Sequence, residues 1–256
     1  MLSNPILIFK RLGYNWSMTT LLYQTDSYLK EFSANVISVD AETRAVILDQ
    51  SAFYPGGGGQ PCDFGELEVN GIHFPVEKVK KQGDDVLHFL GGENPLPNVS
   101  SASRGTLNWV RRYELMRTHT ALHILCGTVF RDYGAKVTGG DMDPLKGRMD
   151  FEFETMRGEL VRDIEAAVNL EVQQGRDIRV KILPREEAFQ IPDLIRTKIN
   201  LLPEGIMQVR TVEITGLDLQ ADGGTHVMNT SEVGKIKVVD YKSKGAINKR
   251  IYIEVE

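Results

Sequence analysis

Residues 91–105, GGENPLPNVSSASRG, divide the chain into two stretches with different hydrophobic periods. Proline, glycine, serine and asparagine crowd these positions, as they do where few tertiary contacts cross. Upstream, the short runs NVISVD (35–40), AVILDQ (45–50), GELEVNG (65–71), HFPVEKVKK (73–81) and DDVLHFLGG (84–92) alternate or stay briefly apolar between turn residues. That is the signature of closely spaced strands in a small barrel or sandwich. Downstream the period lengthens. Residues 111–133 read as a helix with Leu115, Leu122, Leu125, Val129 and Phe130 near one face. A second helix is expected from after Thr155 to about Gln174, with Gly175 as its stop. MDFEFE (149–154), IRVKIL (178–183), MQVRTVEI (207–214), KIKVVDY (235–241) and NKRIYIEVE (248–256) read as strands. The expected fold class is α+β. A small β-barrel domain over 18–105, carrying a glycine-rich loop, is followed by an α+β domain over 106–256 with an antiparallel sheet and one site-bearing helix. The first 17 residues are expected to be an extension, with Met18 opening the ordered chain.

Hydrophobic residues make up 41% of the chain and charged residues 25%, which suits a globular protein with a real core. No apolar run approaches the ~18 residues of a membrane span, so no membrane partner is expected. Two cysteines, Cys62 and Cys126, are too few for a disulfide framework and point to a reducing, cytoplasmic setting. The net charge of −5 argues against binding nucleic acid by bulk charge, yet leaves room for a local basic surface.

Three of the five histidines fall in two tight motifs. His119-Thr-Ala-Leu-His123 lies inside the first predicted helix, where positions four apart share a face. Two imidazoles so placed suit one metal ion. Residue 120 is threonine, so the metalloprotease pattern with a built-in glutamate base is absent. Asp222-Gly-Gly-Thr-His226 places a carboxylate and an imidazole around a flexible turn. Together they offer four ligands of types that zinc accepts. Asp222 ligating directly, Asp222 acting through water or from a second layer, and a three-histidine site with an open position all remain open. Cys126, seven residues after His119, reads as a small buried hydrophobe, because one helix rarely aims three side chains at one ion. A third motif, Phe53-Tyr-Pro-Gly-Gly-Gly-Gly-Gln60-Pro-Cys-Asp63, holds four consecutive glycines whose ordering entropy demands a reason. It lacks the Gly-Lys-Ser/Thr ending of a P-loop.

RTHTALHIL (117–125), MDFEFE with its following helix, GGTHVMNTSEVGKIKV (223–238) and AFYPGGGGQPCDFG (52–65) occur in one order. In that combination the chain resembles the AlaX family, freestanding relatives of the alanyl-tRNA synthetase editing domain, and in particular its medium-length type. The resemblance covers most of residues 21–256. It implies one Zn2+ per chain held by His119, His123, His226 and the residue at 222, where the family usually has cysteine and this chain has Asp222. A hard oxygen there weakens zinc retention and leaves the metal more Lewis acidic. The implied activity is hydrolysis of mischarged tRNA(Ala), chiefly Ser-tRNA(Ala), with aminoacylated tRNA(Ala) as partner. Thr120 and Gln60 are the candidates for reading the serine hydroxyl. Arg111, Arg112, Lys242, Lys244 and Lys249 are the candidates for contacting the tRNA, Arg117 lying in the first of these two basic clusters. Rival readings are a non-catalytic tRNA-binding relative with structural zinc, a hydrolase of small esters or amides, and editing of a different tRNA.

Overall fold

The computed structural model describes residues 19–195 and 205–256, so the expected extension over the first 17 residues lies outside the described residues. Strand β1 (Thr20–Leu21) opens it, followed by β2 (Glu31–Asp40), β3 (Ala45–Leu48) and β4 (Gln50–Ser51). Then come β5 (Gly65–Val69), β6 (Ile72–Gln82), β7 (Asp85–Leu90) and β8 (Ala102–Leu107). Strands β2-β3-β7-β6-β5-β8 close into a barrel, every pair antiparallel. Period-two alternation supplies its interior: Phe32, Ala34 and Val36 of β2 face Leu67 and Val69 of β5 and Phe74 and Val76 of β6 in one apolar cluster. A register shift between Val76 and Lys78 lets β6 turn Val79 inward as well.

The closing strand corrects the sequence reading. Ala102–Leu107 lies within and just beyond the stretch taken as a boundary, yet it seals the barrel between β2 and β5. Its inward positions are Ser103, Gly105 and Leu107. A Cβ at Gly105 would come within 2.4 Å of the Phe32 ring, so only glycine leaves room for that side chain. A strand whose interior face is small and polar carries no hydrophobic signature.

His88 of β7 is fully buried in the barrel wall. Its Nδ1 lies 3.3 Å from the Val46 carbonyl and its Nε2 2.7 Å from Ser51 Oγ, so the neutral ring donates to the former and accepts from the latter. Burial pushes its pKa down to about 4, against 6.5 for a free histidine. Between those values the unfolded chain binds more protons than the folded one. The stabilisation is therefore complete above pH 6.5 and is lost as pH falls towards 4, an effect of roughly 3 kcal/mol. His88→Gln is expected to flatten the pH dependence of Tm across this window; an unchanged slope would refute the assignment.

The second half begins with α1 (Trp109–Tyr133), capped by the Asn108 side chain, which accepts from the Arg111 backbone N–H. It ends at Gly134, whose φ of 66° suits a left-handed terminal residue. There follow β9 (Val137–Asp143), β10 (Lys146–Glu152), α2 (Gly158–Gln173), β11 (Ile178–Pro184), β12 (Gln208–Ile214), β13 (Asp218–Ala221), β14 (Ile236–Ser243) and β15 (Asn248–Val255). They form two antiparallel sheets, β14-β15-β10-β9 and β11-β12-β13. The α+β class with a barrel and antiparallel sheets is as expected.

Helix α1 departs from the one-faced pattern. Every residue from Thr118 to Val129 is buried, because the helix touches α2, the four-stranded sheet and β13 at once. It is a core helix, and its polar side chains therefore need partners inside the protein.

Candidate metal centre

Helix α1 presents His119 and His123 one turn apart, and the turn after β13 brings Asp222 and His226 against them. Their four ligand atoms lie within 4.8 Å of one another. Asp222 Oδ2 is 3.0 Å from His226 Nε2, and Oδ1 is 3.6 Å from His119 Nε2. These separations bracket the ~3.4 Å edge of a tetrahedron with zinc bonds of ~2.0–2.1 Å.

The remaining ring nitrogens are each held. Gln60 Oε1 accepts the Thr225 backbone N–H at 3.0 Å, which fixes it as the amide oxygen. His119 Nδ1, 3.0 Å from that oxygen, is then the donor, and its Nε2 lone pair faces the cluster. His123 Nδ1 lies 3.1 Å from Asp218 Oδ2, and His226 Nδ1 lies 3.2 Å from Thr120 Oγ1. Acceptor oxygens thus place the ring proton of His119 and His123 on Nδ1 and leave their Nε2 available, as ligand imidazoles require, whereas His226 sits between the Thr120 hydroxyl at Nδ1 and the Asp222 carboxylate at Nε2. Burial pushes His119 well below the usual histidine range and His226 to about 4. For His123 burial is outweighed by the Asp218 hydrogen bond and by the charges of Asp222 and Asp218, which raise it. Asp222 is held well below the usual carboxylate range: its burial works upward, but the imidazoles around it, His119 first, prevail. Three imidazoles and one carboxylate, all ligand types a divalent cation accepts, fit such an ion. Cys126 stands apart from this donor set, and its Sγ accepts from Gln220 Nε2 at 3.3 Å.

The cluster opens on a cavity of about 840 Å3 lined by His119, His123 and Asp222 together with Tyr54 and the four glycines of the barrel's loop. Thr120 and Gln60 do not line it. Both are buried, and their polar atoms are engaged with His226, Val227, His119 and Thr225. Both therefore stand behind the histidines, where they hold His119 and His226, rather than on the cavity wall where a substrate hydroxyl was expected to meet them. Asp218, which orients His123, and Arg210 were missed by the sequence reading, since neither belongs to a spaced motif. Arg210 donates from Nη1 to the Asp222 carbonyl at 2.9 Å and from Nε to the Gln24 carbonyl at 2.8 Å, tying the ligand turn to the start of the described chain.

The threonyl and alanyl tRNA synthetase second additional domain matches residues 209–252, and the class II (A) tRNA synthetase family matches residues 10–111. A protein of Saccharolobus solfataricus named alanyl-tRNA editing protein AlaX-M is 40% identical over 93% of this chain and 100% of its own length. The chain belongs to the AlaX-M family. A Methanosarcina barkeri member is 35% identical over 92% of the chain and 98% of its own length. The alanine–tRNA ligase of Thermococcus kodakarensis is 38% identical over 86% of the chain, which spans 24% of that enzyme.

In this AlaX-M family member the glycine-rich loop is ordered for a reason. Gly56, Gly57, Gly58 and Gly59 all have positive φ, a conformation other residues adopt at a cost. Gly57 and Gln60 exchange two backbone hydrogen bonds of 3.0 and 2.9 Å, and the Gly59 carbonyl accepts from the Met142 N–H of β9 at 3.1 Å. A Cβ on Gly59 would sit 3.0 Å from the Gly140 carbonyl oxygen. The loop therefore reaches from the barrel to the other half of the fold and delivers Gln60 behind His119.

Two of the expected tRNA contacts are corrected by burial. Arg112 is fully buried and paired with Asp63, and Lys249 is buried with its Nζ donating to the Gly245 and Ala246 carbonyls, each at 2.7 Å. Neither presents a charge to a phosphate. Arg111 is half-buried, its guanidinium over the Phe64 ring, while Lys242 and Lys244 are exposed. Lys242 pairs with Asp240 at 2.8 Å.

Proposed function

We propose that this chain is a hydrolase acting in trans on mischarged tRNA(Ala), that it releases serine from Ser-tRNA(Ala), and that it does so with one zinc ion held by His119, His123, Asp222 and His226. The observation that carries the reading is the convergence of three imidazoles and one carboxylate beside a cavity large enough for an aminoacylated nucleoside. The names of the AlaX-M relatives, alanyl-tRNA editing proteins, support the tRNA. Zinc bound there supplies a Lewis acid and a source of nucleophilic water at neutral pH. The reaction consumes one water and yields free amino acid and a ribose hydroxyl. The protein's own groups orient the ester: the polar lining includes Gln208, a hydrogen-bonding group that a serine hydroxyl can engage and alanine cannot. Arg111, Lys242 and Lys244 remain proposed contacts to the tRNA backbone.

Deacylation of Ser-tRNA(Ala) beside Ala-tRNA(Ala), with and without a chelator, tests the reading. Serine release that stops on chelation and greatly exceeds alanine release is expected; equal rates on both substrates contradict it. A thiolate at 222 binds zinc more tightly than a carboxylate. Asp222→Cys is therefore expected to lower the zinc Kd by about tenfold in a competition titration, and an unchanged Kd would place Asp222 off the metal.

A further inference from the structure

Only two cations, Arg210 and Lys81, line the cavity that holds the metal cluster, among the described residues. They differ in kind. Arg210 is buried, and its guanidinium is tied to the Asp222 and Gln24 carbonyls. Lys81 is exposed, near the end of β6, one pair from the last paired residues of the β6–β7 hairpin. Lys81 forms no ion pair with a carboxylate within 4.0 Å among the described residues. An exposed residue that also lines a cavity floored by buried His119 and Tyr54 stands at its mouth.

Resting on the proposed tRNA substrate, we infer that Lys81 binds the phosphodiester that joins the last two nucleotides of the tRNA, so that the barrel guides the 3′ end into the cavity. The chemistry of the substrate leaves few alternatives. Its α-ammonium carries the same sign as lysine and is repelled, and its terminal ribose and adenine are neutral. With the ester at the metal cluster and the nucleoside filling a cavity of about 840 Å3, the next group along the strand is a phosphate, and it emerges at the mouth. A flexible ammonium with no carboxylate partner among the described residues suits a phosphate as a point charge. This also gives the barrel a role in substrate binding beside its supply of Gln60.

The test compares Lys81→Gln and Lys81→Glu with the wild type on two substrates: Ser-tRNA(Ala), and 3′-seryl-adenosine, which carries no phosphate. For tRNA, KM is expected to rise about 5- to 10-fold in Lys81→Gln and further in Lys81→Glu. The slope of log binding constant against log salt, measured on uncharged tRNA(Ala), is expected to become shallower by about 0.7–1 in Lys81→Gln. The rise in KM should be confined to the substrate that bears the phosphate. An equal rise on both substrates, or an unchanged salt slope, overturns the inference. Wild-type protein that releases serine from neither substrate overturns the proposed function instead, and the salt slope on uncharged tRNA still decides the Lys81 contact.

Discussion

Arg112→Ala is expected to destabilise the fold by about 3–5 kcal/mol, a loss of roughly 10 °C in Tm for a chain of this size. The Arg112 side chain is fully buried, and each of its nitrogens has a partner. Nε lies 3.0 Å from both Asp63 oxygens, Nη1 donates to the Ser27 carbonyl at 3.0 Å, and Nη2 donates to the Ala52 carbonyl at 2.6 Å and to Asp63. Asp63 also accepts the Tyr54 N–H at 2.6 Å. The pair thus joins the first turns of α1 to the base of the glycine-rich loop. Deleting the guanidinium strands a buried carboxylate and removes donors from two carbonyls, which is why one-sided removal is far more damaging than replacing the pair. Arg112→Ala with Asp63→Asn removes the stranded charge while keeping an acceptor for Tyr54, and should be the more stable of the two variants. Thermal unfolding of both decides the matter: a Tm for Arg112→Ala within 2 °C of wild type would overturn the structural role.

The same residue shows where sequence reasoning reached its limit. Arg112 sits between Arg111 and Tyr113 in a basic stretch, and nothing local distinguishes it from a surface cation. Its partner Asp63 is 49 positions away, and only folding reveals the match. Lys249 was misread for the same reason. The candidate ligands were legible because their geometry is local: four residues along a helix place His119 over His123, and a double glycine lets Asp222 and His226 turn towards one point. Their convergence depends on long-range packing, and resemblance to the AlaX family, rather than periodicity, indicated it in advance. Gln60 and Thr120 were expected at the substrate, and the structure instead buries both among the candidate ligands. Their proximity to the ligands was visible, but which way each side chain faces is set by the tertiary contacts of a helix buried on all sides. Strand β8 was hidden because the space its residues leave is filled by Phe32 from another strand.

Gly224→Ala is expected to weaken zinc binding by about 10- to 100-fold, with a matching loss of metal-dependent activity, while the fold survives. A Cβ at Gly224 would lie 2.3 Å from His119 Cε1, 2.5 Å from His119 Nδ1 and 2.6 Å from Gln60 Oε1. No real Cβ tolerates such contacts, so the ring and the amide must part. That breaks the hydrogen bond which fixes the His119 tautomer and swings Nε2 away from Asp222 and His226. The expected size follows from outer-layer partners of ligand histidines, whose loss costs 10- to 100-fold in affinity. Gly223 provides the internal comparison, since nothing lies within 4 Å of where its Cβ would be. Gly223→Ala should keep its zinc Kd near that of the wild type, although its backbone is one peptide away. Zinc titrations and Tm of the two variants separate a steric effect on His119 from a general stiffening of the turn. If both alanines weaken zinc equally, the turn's flexibility matters and the Gln60–His119 contact does not; if Gly224→Ala alone does so with Tm preserved, the barrel's glycine-rich loop governs the metal site through that single hydrogen bond.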